Sequence, residues 1–191
     1  GFRIAMKDLE IRGAGNLLGP EQSGQIGAVG FDLYCRILAE AVQAIRAKPG
    51  EKVSLPPPSL DLSLAANIPG NYVSDAGARL NLYQRLALMT DEKALDDIEE
   101  EMEDRFGAPP EEVDNLLYMV RLKVLGAKAA LGSISVADGQ AVVMLRPEAG
   151  LGREQLSRLF RKDVTVLSNQ VRFRVEGDRK WMERLQKMVE T

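Results

Sequence analysis

The sequence predicts an α+β fold: a helical N-terminal appendage with a glycine-rich loop, then a domain of helices packed with a small, mainly antiparallel sheet. Three observations carry that reading. Through the middle of the chain, apolar residues recur at three- and four-residue steps, as on one face of a helix. Roughly the last sixty residues change to short alternating runs separated by turn signals, as in strands. Six glycines, at positions 13, 15, 19, 24, 27 and 30, crowd the N-terminal region and argue there for loop and close backbone approach.

Taken in order, a helix is expected from Phe31 to Lys48, with Tyr34, Leu38, Ala41, Val42 and Ile45 continuing the apolar stripe and Pro49-Gly50 stopping it. Residues 49–52 read as a linker, which divides the chain into 1–48 and 53–191. Leu60, Leu62 and Leu64 alternate with polar residues as in a strand, and Pro56, Pro57 and Pro58 before it favour a sheet edge. A helix follows from Asp75 to Met89, buried through Leu80, Leu82, Tyr83 and Leu86. The next has Thr90 as N-cap, Leu95, Ile98, Met102 and Phe106 as inner stripe, and Gly107 as stop. Pro109-Pro110 opens a long helix whose period runs through Val113, Leu117, Val120, Val124 and Leu131 to Gly132. Ile134–Val136 and Ala141–Leu145 read as a hairpin about Asp138-Gly139. A short helix near 154–161, strands at Val164–Leu167 and Val171–Val175, and a helix from Arg179 to Val189 complete the chain. Trp181, Leu185 and Met188 share one side of that last helix.

Composition removes several kinds of chemistry. The chain has 191 residues, one cysteine (Cys35) and no histidine. A zinc site is thereby disfavoured, and serine-histidine and cysteine-histidine catalysis are excluded for this chain alone. No catalytic or metal-ligating residue is predicted, although a carboxylate-held magnesium stays open in principle. A lone cysteine fits a reducing cytoplasm. No apolar run approaches the roughly 20 residues of a membrane span. The chain starts Gly1-Phe2-Arg3, without an initiator Met or a signal-peptide pattern, as expected of a piece of a longer protein.

The net charge of −3 hides a strong asymmetry. Residues 91–114 carry twelve Asp/Glu against two Lys/Arg, a local −10, whereas residues 146–191 carry eleven Lys/Arg against seven Asp/Glu, or +4. Phosphate would be repelled by the acidic block, so nucleic-acid binding by the whole surface is disfavoured.

The densest motif runs from Asp8 through Arg12, Gly13, Gly15, Gly19 and Gln22 to Gly24. A dinucleotide loop would need a third glycine where Leu18 stands, and a phosphate-cradling loop would need Gly-Lys-Ser/Thr, which is lacking. Two readings stay open on the residues alone. One is a mechanical loop in which Arg12 and Gln22 hydrogen-bond across two elements; the other is a glycine-rich surface loop whose arginine makes a salt bridge.

DLEIRGAGNLLG, PEQSG and GFDLYCRILAEAV resemble the translocation motif shared by bacterial transcription-repair coupling factors and RecG-type branch-migration helicases. NYVSDAGARLNLYQRLA and ALDDIEEEMEDRFGAPPEEVDNLLYMVRLKVLGAKAALG resemble the C-terminal domain of the coupling factors alone. The likeness is strong from Gly1 to about Gly132 and weak beyond. It implies a C-terminal fragment of a DNA translocase that removes stalled RNA polymerase and recruits excision repair. Arg12 and Gln22 would then link ATPase-lobe motion to travel along duplex DNA. ATP and magnesium would be held by lobes outside this chain, so the chain itself would need no cofactor and have no enzymatic activity.

Glu99, Glu100, Glu101, Glu103 and Asp104 are placed by helical spacing on the outer face of the acidic helix. A solvated face is one reading. A surface shaped for a basic partner is the other, because like charges four apart weaken a helix by a few tenths of a kcal/mol each. The family resemblance implies the second. EEMEDRFG matches the stretch that clamps over the N-terminal UvrA-binding module of the same protein, carried here by Glu101, Asp104 and Arg105. The alternatives weighed against this regulatory reading are a small carboxylate-based enzyme, a stand-alone interaction domain and a DNA-binding domain. For the last, no recognition motif is found.

Overall fold

The computed structural model describes residues 56–160, 164–175 and 179–190, together with Phe31 and Cys35. The glycine-rich motif, the linker at 49–52 and most of the helix expected from Phe31 to Lys48 lie outside these residues. Phe31 and Cys35 are themselves helical and buried. Two compact units divide the chain, one built from 64–120 with Phe31 and Cys35, the other from 55–63 and 121–191.

The first unit is helical. Helix α1 spans Ala76–Ala87, capped by Asp75, whose carboxylate accepts from the Ala78 amide at 2.6 Å. Helix α2 spans Glu92–Phe106 and ends at Gly107 (φ 85°), a backbone geometry that costs glycine little. Its cap is Asp91 and not the expected Thr90: the Asp91 carboxylate lies 3.4 Å from the Lys93 amide, and a carboxylate also favours the positive helix terminus. Helix α3 spans Glu111–Lys128, and its first part, to Val120, belongs to this unit.

Leu82, Tyr83 and Leu86 of α1 meet Leu95, Ile98 and Met102 of α2 and Val113, Leu116 and Leu117 of α3 in one core that Phe31 and Cys35 also enter. Two polar groups are satisfied inside it. The Ile68 amide donates to the Tyr83 hydroxyl at 2.7 Å, and the Asn115 side-chain amide donates to the Ala65 carbonyl at 2.9 Å.

The second unit is a five-stranded sheet with helices. Strands β1 (Ser59–Asp61), β2 (Leu131–Ala137), β3 (Gln140–Leu145), β4 (Val164–Val166) and β5 (Gln170–Arg174) lie in the order β1-β2-β3-β5-β4. Only β1–β2 is parallel. β1 takes the edge position that its prolines favour. The hairpin β2–β3 turns at Asp138 (φ 51°) and Gly139 (φ 71°), both left-handed as a two-residue turn requires. Helices α4 (Arg153–Leu159) and α5 (Lys180–Glu190) complete the unit.

Two expectations shift. Leu131, expected on the long helix, starts strand β2, because the helix stops at Lys128 and Ala130 takes a left-handed turn (φ 52°). Strand β1 is shorter than the Leu60–Leu64 alternation, since Ser63 also has a positive φ (52°) and breaks it. Gly126 fits a tight approach: a Cβ there would come within 2.7 Å of the Pro58 ring. No helix among the described residues is long and apolar enough to cross a membrane.

Candidate functional site

The acidic helix α2 presents the best-defined polar site. Its buried stripe, Leu95, Ile98 and Met102, fixes the rotation of the helix against α1 and leaves Asp96, Asp97, Glu100, Glu103, Asp104 and Arg105 exposed. Glu101 lies at the border between these faces. One carboxylate oxygen accepts from the Arg85 guanidinium of α1 at 2.6 Å, and the other accepts from Arg105 one turn along α2. Donation from Arg85 holds the Glu101 carboxyl at about 2; partial burial opposes that effect and Arg105 adds to it. Arg85 is in turn raised by its hydrogen bond to Glu101.

The end of α2 is pinned from outside the helix. The Tyr72 hydroxyl lies 2.9 Å from the Gly107 carbonyl, which follows the last helical residue and has no partner within the helix, and 3.3 Å from that of Met102. The Tyr72 ring meets Phe106 edge-on at 5.9 Å, and the Arg105 guanidinium covers the Phe106 ring at 4.9 Å. Burial, with Glu103 and Asp114 nearby, raises the Tyr72 phenol and keeps it a donor.

Of the residues expected to act together, Glu101 and Arg105 are joined in an ion pair. Asp104 is exposed beside them and makes no ion pair among the described residues. Arg12 and Gln22 lie outside the described residues. No sequence pattern singles out Arg85 or Tyr72. Arg85 sits sixteen positions from Glu101 on another helix, and its only local signal is a cation in the last turn of α1. Among the described residues no group of three or more His, Cys, Asp or Glu is placed to hold a metal ion. The geometry is that of an ordered charge cluster at Glu101, flanked by solvent-facing carboxylates.

A family model described as a TRCF domain matches residues 62–156. The transcription-repair-coupling factor of Staphylococcus haemolyticus is 36% identical over 199 aligned positions, covering 99% of this chain and 17% of that relative. That of Rickettsia conorii is 36% identical over 187 positions, covering 97% and 16%, and that of Myxococcus xanthus is 39% identical over 166 positions, covering 87% and 14%. The chain thus spans about a sixth of the length of these relatives. A crystal structure of the C-terminal domain of a transcription-repair coupling factor matches with a TM-score of 0.63 over 72% of this chain and 91% of that one. At 18% identity, that likeness is one of fold.

Proposed function

Since the chain belongs to the transcription-repair-coupling factor family, we propose that it is the C-terminal regulatory part of an ATP-driven DNA translocase that removes stalled RNA polymerase and recruits excision repair. The chain regulates and does not catalyse; ATP and magnesium bind to other lobes of the whole protein, in the cytoplasm. Helix α2 clamps over the N-terminal UvrA-binding module of the same protein and hides it until repair is called for. Arg12 and Gln22 couple ATPase-lobe motion to movement along duplex DNA.

The observation that supports the clamp is the fixed Arg85–Glu101–Arg105 cluster. It orders the side chains around an exposed run of carboxylates, so a basic partner meets a surface whose entropy cost is already reduced. Asp104→Lys in the full-length protein tests it, because Asp104 is exposed and its change leaves the Arg85–Glu101 pair intact. The clamp reading expects UvrA to bind the variant about tenfold more tightly, a difference of about 1.4 kcal/mol. UvrA affinity equal to wild type would overturn it.

A further inference from the structure

Glu101 is a residue of α2 whose charge is already in use. One oxygen of its carboxylate accepts from the Arg85 guanidinium of α1 at 2.6 Å, and the other accepts from Arg105 one turn further along α2. Donation from Arg85 is the largest cause of a carboxyl held at about 2, so the negative form is stabilised before any partner arrives. Two guanidinium groups thus surround one carboxylate. A third cation brought to it would meet Arg85 and Arg105 as like charges, and that juxtaposition works against docking. Asp104 differs on both counts: it is exposed, and it makes no ion pair among the described residues. A basic surface is drawn to Asp104 and turned away at Glu101.

The role left to Glu101 follows from its two bonds. An ion pair between residues four apart on an exposed helix face holds its side chains only loosely. Arg85 changes that, because it approaches from another helix and fixes the Glu101 carboxylate from outside α2. Arg105, tied to that fixed carboxylate, lies over the Phe106 ring at 4.9 Å, and Phe106 meets Tyr72 edge-on at 5.9 Å. The line of contacts runs from Arg85 through Glu101 to Arg105, the sequence neighbour of Asp104. Arg85 can therefore influence the face that carries Asp104 without touching a partner.

We propose that Arg85 and Glu101 are positioning residues of the α2 face: Arg85 braces Glu101, Glu101 braces Arg105, and neither meets the N-terminal module that the face covers. This rests on the clamp reading and reassigns Glu101 within it, from a contact residue to an internal brace.

The sign of a change in UvrA affinity, measured on the full-length protein, tests the assignment. With Glu101 as a brace, Arg85→Gln loosens the face and UvrA binds about threefold more tightly, as it does to Glu101→Gln. The double variant should bind UvrA no more tightly than either single one, since both break the same link. Arg85→Lys keeps a donor to the carboxylate and should stay within about twofold of wild type. Were Glu101 a contact residue, Arg85→Gln would free its charge for the basic module, tighten the clamp and weaken UvrA binding. Weaker or unchanged UvrA binding to Arg85→Gln, or additive effects in the double variant, overturns the proposal. So does an Arg85→Lys protein as loose as Arg85→Gln, because the effect would then come from packing and not from the hydrogen bond. Arg85 keeps 38% of its side-chain surface in solvent, so Arg85→Gln should retain the fold, which a thermal melt checks. Asp104→Lys separates the two ways of failing. Without an effect on UvrA, the clamp reading falls and this proposal with it; an effect of Asp104→Lys beside an inert Arg85→Gln overturns the proposal alone.

Discussion

Arg85, in the last turn of α1, donates to the Glu101 carboxylate of α2 at 2.6 Å, and that carboxylate also holds Arg105. One acidic group thereby ties two consecutive helices and orders the exposed edge of the second. Arg85 and Glu101 keep 38% and 31% of their side-chain surface in contact with solvent, so the tie is one of geometry more than of strength.

Acid should release this tie in a defined window. Glu101 titrates at about 2 in the folded chain against an ordinary 4.5, so the unfolded chain takes up the proton first as pH falls. The stabilisation is complete above about pH 4.5 and is lost as pH drops towards about 2. Thermal melts of wild type and Glu101→Gln should differ by about 2 °C at neutral pH, the shift of a partly exposed pair worth under ~1 kcal/mol. The two curves should converge between pH 4.5 and 2. A difference that persists at the acid end would mean that Glu101 acts through packing instead.

Tyr72→Phe keeps the ring against Phe106 and removes only the hydroxyl that serves the Gly107 and Met102 carbonyls. The expected loss is about 1 kcal/mol, or about 2–4 °C in Tm. Amide exchange should quicken selectively in the last turn of α2, and an unchanged exchange pattern would count against the pinning role.

Gly107→Ala separates backbone strain from crowding. A Cβ at this position would meet nothing within 4 Å, yet the backbone sits at φ 85° and ψ −172°, where side chains are strained. Destabilisation of about 1–3 kcal/mol is expected by chemical denaturation. A neutral substitution would show that the end of α2 relaxes freely.

Tyr83→Phe removes the acceptor of the buried Ile68 amide while leaving the ring and its contact with Phe31 at 6.1 Å. An amide left without a partner in this core costs about 1–3 kcal/mol, so equilibrium unfolding should register a clear drop in midpoint. Equal stability of the two proteins would place an unsuspected acceptor beside Ile68.

How far the sequence reads through to the structure depends on the range of the forces involved. The hairpin at Asp138-Gly139 is legible because the left-handed turn it needs is written in two adjacent residues. The inner stripe of α2 is legible because its period repeats over about three turns, from Leu95 to Phe106. The end of α3 is not. Lys128-Ala129-Ala130-Leu131 is good helix-forming sequence, and what stops it is the pairing of Leu131 with Leu145 in the sheet. Arg85 was likewise invisible, because its partner lies on the next helix and no local pattern announces that meeting. The parallel pairing of β1 with β2 belongs to the same class: each strand is recognisable alone, but the choice of neighbour is tertiary.

That pairing has a kinetic side. Ser59 meets Ser133 across more than seventy intervening residues, whereas β2 meets β3 across a two-residue turn. Closing so long a loop is entropically slow and is rewarded by only three residues of ladder. The expected order of assembly therefore has β2–β3 zipping early and β1 arriving last, as the latch on a sheet already made. Pulse-labelled amide exchange during refolding would date the arrival: protection at β1 should lag that of β3, and the same strand should be the first to let go.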